Sequence, residues 1–333
     1  MSVIARGARA GLVAAAVCGA VFTSAAHAQK WSPERNVELI VPAGAGGSLD
    51  ATGRVTQRIW DELKLVPQTS TVVNRSGGGH AIAYAYLAKR SGDPHALSIT
   101  SATLLTNHIN GRLPHTYRDF SPLGILVTEY IAFAVPADSP IKTGKDLMEA
   151  LKKNPEGHQV ALSSALGGTH HLSLGLPARS AGVDMKRVKL VSFNSSSDAI
   201  AAILGGHVNV ISTSTGILMP HVEAGKLRAI AVSSPRRMSG QFANTPTWAE
   251  LGEKGTWENW RGVIGAKGMT QAQVAYWEDV LRKVNASEGF RSYAAKNQWD
   301  TGFQGAAEMN KFLTAQYSEL KEVMTFLGLV KQP

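Results

Sequence analysis

The chain has a single cysteine, Cys18, among 333 residues. One thiol excludes a disulfide framework and any metal site built from paired cysteines. Charge is sparse, 18% of the residues against 44% in the apolar set, and no heptad run or long biased tract is present. A disordered polymer and a fibre are both excluded. Aromatic residues make up only 7% and do not alternate with basic ones, so the stacking ladder of a single-strand nucleic-acid binder is missing. No pair of closely spaced acids stands out as catalytic, and no apolar run reaches the ~20 residues that cross a bilayer. What remains is a globular composition long enough for two lobes.

Lys and Arg number 34 against 25 Asp and Glu, a formal charge of +9. The basic residues are scattered, the densest groups being Lys186-Arg187-Val188-Lys189 and Arg236-Arg237. Scattered surplus charge points to small anions as partners and away from nucleic acid. The first 28 residues read as an export label. Arg6 and Arg9 precede a short apolar stretch from Gly11 to Phe22, and Ala26-His27-Ala28 is a small-x-small cleavage pattern. Cleavage after Ala28 would send a thiol-free chain beginning at Gln29 to the periplasm, an oxidising compartment.

Strand and helix signals alternate along most of the length. Val37–Val41, Val72-Val73 and Ala96–Thr100 read as strands, the first two running into glycine turns and then helical spacing. Strands at 124–128, 131–135, 160–163, 208–211 and 227–232 continue the series. Repeated strand–turn–helix order predicts an α/β protein with a mostly parallel sheet. Thr143-Gly144-Lys145-Asp146 and Thr270-Gln271-Ala272-Gln273 have the form of capping boxes. From Thr270 onward the pattern turns to long amphipathic helices, whose place among the lobes the sequence leaves open.

Two matched turns carry the chemistry. Gly46-Gly47-Ser48 follows one strand and Gly167-Gly168-Thr169 follows another in the other half; each opens a helix. Glycine allows close backbone approach, and a helix's first turn presents free N–H groups and the positive end of its dipole. Each turn is thus either an anion seat, with the Ser48 and Thr169 hydroxyls as added donors, or an ordinary strand–helix connection. Nucleotide fingerprints fit poorly, since Leu49 and Ser48 stand where glycine or lysine is required. Gly46-Gly47-Ser48-Leu49-Asp50 narrowly misses the hydrolase nucleophile elbow, having Asp50 in place of the last glycine; Asp50 is expected to brace the turn. His170-His171 lacks metal-ligand spacing, and no metal or cofactor is expected. Arg75, before Gly77-Gly78-Gly79, either meets a carboxylate or holds its loop. Ser101 and Thr103 sit beyond the third strand, where α/β sheets present ligand contacts.

At these residues the chain resembles the Bug (TctC-like) extracytoplasmic receptors of tripartite tricarboxylate transport systems. The likeness runs through Leu39-Ile40-Val41-Pro42, Val73-Asn74-Arg75, Tyr117-Arg118-Asp119-Phe120-Ser121-Pro122, Ile203-Leu204-Gly205-Gly206, Gly225-Lys226-Leu227-Arg228, Pro246-Thr247 and Trp260-Arg261-Gly262. It implies a two-lobed Venus-flytrap protein, each lobe a mixed sheet flanked by helices, with a small carboxylate between the lobes. Lobe 1 would comprise residues 29–128 and 236–333, and lobe 2 residues 129–235. The first-lobe seat implied is Ala43, Gly44, Ala45, Gly46, Gly47, Ser48, Leu49 and Asp50, with Gly79, Ser101 and Thr103 nearby. The second is Ser164, Ala165, Gly168, Thr169 and His170, with Phe193 and Asn194 beside it. Two departures bear on the ligand: Phe193-Asn194-Ser195 replaces a frequent Tyr-Lys-Gly, and Thr213 replaces a usual aspartate. They suggest an aromatic or larger dicarboxylate, with Phe193 as an apolar wall. The family further implies a monomer without enzymatic activity that delivers its cargo to membrane permease subunits. A sensor's binding subunit and an exported serine hydrolase using Ser48 are the alternatives.

Overall fold

A computed structural model describes residues 31–331 of the chain. The expected export segment, residues 1–28 with Cys18, lies outside them. In chain order the elements are β1 (Val37–Val41), α1 (Ser48–Glu62), β2 (Ser70–Asn74), α2 (Ala81–Ala88), β3 (Ala96–Thr100), α3 (Thr103–Ile109), β4 (Phe120–Glu129) and β5 (Ile131–Pro136). There follow α4 (Gly144–Lys153), β6 (Gln159–Leu162), α5 (Thr169–Ser180), β7 (Lys189–Ser192), α6 (Ser196–Leu204), β8 (Val210–Ser214), α7 (Thr215–Glu223) and β9 (Leu227–Val232). The last are β10 (Asn259–Ala266), α8 (Gln271–Ala286), α9 (Glu288–Lys296), β11 (Gln304–Gly305) and α10 (Ala306–Phe326).

The strands form two sheets, ordered β11-β4-β10-β3-β1-β2 and β7-β6-β8-β5-β9. Parallel pairing is confined to β2-β1-β3 in the first and β7-β6-β8 in the second; the other pairs are antiparallel. The sheets are therefore mixed, and the reading of a mostly parallel sheet from element order is corrected. The cause is the route of the chain. It leaves the first sheet through β4 and returns through β10, and a strand that arrives from the other sheet has no crossover helix to set it parallel. Tyr130 alone separates β4 from β5.

Each sheet buries both faces by the two-residue alternation of its strands. In β1, Leu39 and Val41 face one apolar cluster with Trp60, Trp277, Leu281 and Phe290 of α1, α8 and α9, whereas Ile40 faces another with Tyr84 and Leu87 of α2. In β5, Phe133 and Val135 join that second cluster, and Ala132 and Ala134 turn to Ile203 and Leu218 of α6 and α7. One core thus runs continuously from the first sheet into the second. Both expected capping boxes form, with the Thr143 and Thr270 side chains accepting from the Asp146 and Gln273 N–H groups.

The long C-terminal helices have a definite place. α8 and α9 cover the first sheet. α10 starts against it, with Met309 and Leu313 packed beside Trp260, and ends at the second half. There Leu327 lies beside Gly175 of α5, and the Arg179 guanidinium sits 4.0 Å from the Phe326 ring. Among the described residues no helix is long and apolar enough to cross a membrane.

Candidate functional site

β1 and β6 each end in a glycine turn of the same shape. Gly46 and Gly167 both have φ of +79°, a left-handed conformation that side chains resist. Gly47 and Gly168 follow with φ of −86° and −85°, and α1 and α5 begin at Ser48 and Thr169. Neither helix has a side-chain cap. In α5 the His171 N–H already reaches the Gly168 carbonyl at 3.1 Å; the earlier N–H groups of both helices are left for another acceptor, in positions favourable to an anion.

Both openings face one cavity of about 20 Å³. Ala43, Gly47, Ser48, Leu49, His80, Ser101, Thr103 and Arg261 line it from the side of the first sheet. Ser163, Ser164, Thr169, His170, Asn194, Ser195 and Ser196 line it from the other. Apart from Ala43 and Leu49 the side chains are hydroxyls, imidazoles, an amide and a guanidinium. The volume suits one or two waters, so a carboxylic acid of several carbons enters only if the cleft widens. Contacts at the mouth of the cleft join the halves. Ser197 Oγ donates to the Gly46 carbonyl at 2.9 Å, an Arg112 N–H donates to the Leu166 carbonyl, and Gly79 faces Ala165.

Under the cavity lies a buried polar network centred on Glu129, the last residue of β4 and fully buried. Its Oε1 accepts from Ser214 Oγ at 2.8 Å, from Asn259 Nδ2 at 2.6 Å and from Arg261; its Oε2 accepts from Ser48 Oγ. Arg261, 3% exposed, also donates to Ser48 Oγ at 3.2 Å and to Asn259 Oδ1 at 2.9 Å. Thr169 Oγ1 donates to that same Asn259 oxygen at 2.9 Å and accepts from Trp257 Nε1 at 2.8 Å. The Ser48 and Thr169 hydroxyls are therefore engaged inside the protein, and what the two helices offer the cavity is backbone. A second chain, Tyr84–Thr103–His80 with Ser101, occupies the Thr103 hydroxyl fully.

Among the residues lining the cavity, the side-chain polar atoms that stay buried without a partner are Ser163 Oγ, Ser164 Oγ, both ring nitrogens of His170 and Arg261 Nε. Unmet groups of this kind are costly, and several of them on one cavity suit a polar ligand. Burial, then the Arg261 charge, pushes His80 and His170 down to about 3, so both are neutral at pH 7. Burial also lowers Arg261, opposed by Glu129 beside it.

Of the residues expected at the site, Ala43, Ser48, Leu49, Ser101, Thr103, Ser164, Thr169, His170 and Asn194 line the cavity. Gly44, Ala45 and Gly46 form the rim, with Ala45 and Gly46 exposed. Asp50 turns away and braces the loop, accepting from Gly46 N–H, Asn74 Nδ2 and Arg54 Nε. Arg75 lies over the Tyr86 ring at 3.3 Å and holds its loop. Gly168 and Ala165 shape the second turn without reaching the cavity. Phe193 packs into the apolar cluster of the second sheet, and Thr213 is buried within β8; neither lines the cavity. The apolar wall expected of Phe193 is not on this surface, because strand alternation at the end of β7 turns its ring the other way. Gly47 of the expected first turn lines the cavity as well, and His80, Ser163, Ser195, Ser196 and Arg261 line it without having been expected there. A lone arginine inside the wholly buried strand β10 was the signal for Arg261.

Gly79 offers a test of closure. It has φ of +62°, and a Cβ there would stand 2.8 Å from Ala165 Cβ across the cleft. Gly79→Ala is expected to oppose closing by about 1–3 kcal/mol, roughly a 5- to 150-fold loss of ligand affinity by calorimetry. Gly78 shares the strain, with φ of +58°, but its Cβ would meet only Ala81 and Ile82 on its own side. Gly78→Ala should therefore bind as the wild type does; equal losses in both variants would discount the contact across the cleft.

Comparison with known proteins agrees with this architecture. The family model described as "Tripartite tricarboxylate transporter family receptor" matches residues 55–329. The UPF0065 protein in the tcbD-tcbE intergenic region of Pseudomonas sp. (strain P51) is 31% identical over 281 residues, covering 83% of this chain and 82% of its own. Among solved structures, the periplasmic binding protein BugD superposes with a TM-score of 0.82 at 24% identity, covering 90% of this chain and 100% of its own. R. palustris Rpa4515, solved with adipate, superposes with a TM-score of 0.81 at 24% identity, covering 90% and 99%. The two-lobed α/β fold is thus that of periplasmic binding proteins, and the chain belongs to the tripartite tricarboxylate transporter receptor family.

Proposed function

We propose that the protein is a periplasmic solute receptor that captures a small carboxylate by lobe closure and delivers it to the membrane permease of a tripartite tricarboxylate transporter. One observation carries the reading: two uncapped helix openings of matching geometry, one from each half, face a single cavity with unmet buried donors. Oriented backbone N–H groups bind carboxylate oxygens without a fixed cation. The adipate held by a protein of the same fold fits a carboxylate as cargo. Residues 29–128 with 236–333, and residues 129–235, are the proposed moving lobes, with Tyr130 at one crossing between them. Residues 1–28 are proposed to direct export and to be cleaved. With Phe193 away from the cavity and hydroxyls lining it, the ligand proposed is a short polar acid in preference to an aromatic one.

The test is a thermal-shift screen of the purified chain over succinate, malate, citrate, adipate, phthalate and benzoate. A ligand that binds only the folded protein adds about 2.7 kcal/mol at a hundred times its Kd. At least one short aliphatic acid is expected to raise the melting temperature by several degrees. No shift with any acid would overturn the reading, and a shift confined to phthalate and benzoate would overturn the preference for short polar acids.

A further inference from the structure

Among the residues lining the cavity, only His80, His170 and Arg261 carry groups able to hold positive charge. Arg261 is already committed. Its guanidinium is paired with Glu129, so the floor of the site is neutral as a unit. A first carboxylate can take the helix-opening amides, but a second brings a negative charge that no unpaired cation on the cavity wall meets. The two histidines line the cavity, one from each side of the cleft. His170 is the second residue of α5, 4% exposed, and neither ring nitrogen has a partner. His80 follows three left-handed glycines and is itself held at φ of +82°, a strained backbone for a histidine. Its Nδ1 is tied to Thr103 Oγ1 at 2.8 Å, which fixes the ring and leaves Nε2 as its other polar atom. Strain kept at a residue on the cavity wall is the kind of cost that persists where position matters.

We propose that His80 and His170 are the specificity-determining pair of this cleft: together they take up one proton as a dicarboxylate is captured, so that dianions are favoured over monoanions. The inference rests on the carboxylate reading above. The proton comes from solvent and binds the lone pair of a ring nitrogen; no other bond is made or broken. The groups facing the pair are Arg261 of β10, its partner Glu129 of β4, the buried phenol of Tyr84 on α2, and each histidine toward the other. His171 is turned away, accepting from the Gly167 N–H at Nδ1, with Arg112 as its charged neighbour. With the cleft closed and empty, burial and the Arg261 charge keep both rings of the pair neutral. Two protonated rings would repel each other and Arg261, so a single proton serves the pair. A carboxylate a few ångströms from a ring raises its pKa by about 1–3 units, and two carboxylates by more. Proton uptake then follows from linkage.

Calorimetry at pH 6.5 in two buffers of unlike ionisation enthalpy reads the uptake directly. The probes are succinate, malate and adipate, and the monomethyl esters of succinate and adipate, each corrected for its own titration. The wild type is expected to take up about half a proton or more with a bound diacid and almost none with a monoester. His170→Gln and His80→Gln keep a polar side chain that cannot take up a proton. At least one of them should lose the uptake and about tenfold of the diacid preference, a factor that corresponds to one pKa unit. Diacid binding by the wild type without proton uptake would overturn the pair's role while leaving the receptor reading intact. So would uptake and preference retained in both variants. If none of these acids binds, the receptor reading falls and the role of the pair falls with it.

Discussion

Glu129→Gln is expected to lower the unfolding free energy by about 3–5 kcal/mol, measured as the shift of the urea midpoint at constant slope. The magnitude follows from what remains behind. Glu129 is fully buried and accepts from Ser48, Ser214, Asn259 and Arg261. Without its charge, Arg261 is a buried cation whose other acceptors are the Ser48 hydroxyl and the Asn259 carbonyl. Arg261→Met is the informative comparison. It leaves the carboxylate with three neutral donors, and the loss should be closer to about 1–3 kcal/mol. The opposite order would show that Glu129 is not the acceptor on which the network depends. The same carboxylate reaches the opening of α1 through Ser48 and that of α5 through Asn259 and Thr169. Ligand affinity should therefore fall with stability in Glu129→Gln.

Acid should weaken the protein well before its carboxylates protonate. His170 and His171 are 4% and 5% exposed, and burial pushes them down to about 3 and about 4. A histidine with a lowered folded-state pKa binds its proton first in the unfolded chain. The associated stability is whole above the usual value near 6.5 and is lost as pH falls from there toward the folded value. Each such histidine costs about 1.4 kcal/mol per pH unit inside that window. With His80, also pushed down to about 3, the three should cost about 6 kcal/mol between pH 7 and pH 5. Asp50, Asp119 and Asp146 are all held below the usual carboxylate range, Asp50 by Arg54, Gly46 and Asn74 against the opposing effect of its burial. Their contribution is lost only at lower pH. His171 is the better reporter, because opening the cleft would rehydrate His170. His171→Gln should remove about a third of the slope between pH 7 and pH 5 in urea melts. A flat profile over that range, or an unchanged slope in the variant, would refute the account.

The elements whose signal is local were readable in advance. The capping boxes at Thr143 and Thr270, the turns at Gly46 and Gly167 and the bracing role of Asp50 each depend on residues within a few positions of one another. The site was legible as far as those turns reach. Arg261 and Glu129 are 132 positions apart, and His80 and His170 come from different halves. Their pairing depends on sheet order and on the return of β10 beside β3 and β4, which no short window contains. Phe193 shows the same limit from the other side: its apolar character was plain, but the direction of its ring depends on the strand it ends.

Residue order alone was enough for an α/β chain with two glycine-opened helices suited to an anion, because backbone conformation and dipole are set within a turn or two. Which hydroxyls would be consumed inside the protein, which arginine would lie beneath the cleft with its charge already answered, and which histidines would line one cavity from opposite sides were settled only by folding. Those outcomes depend on long-range strand pairing and on burial, and burial is what changes the cost of a charge or an unmet hydrogen bond.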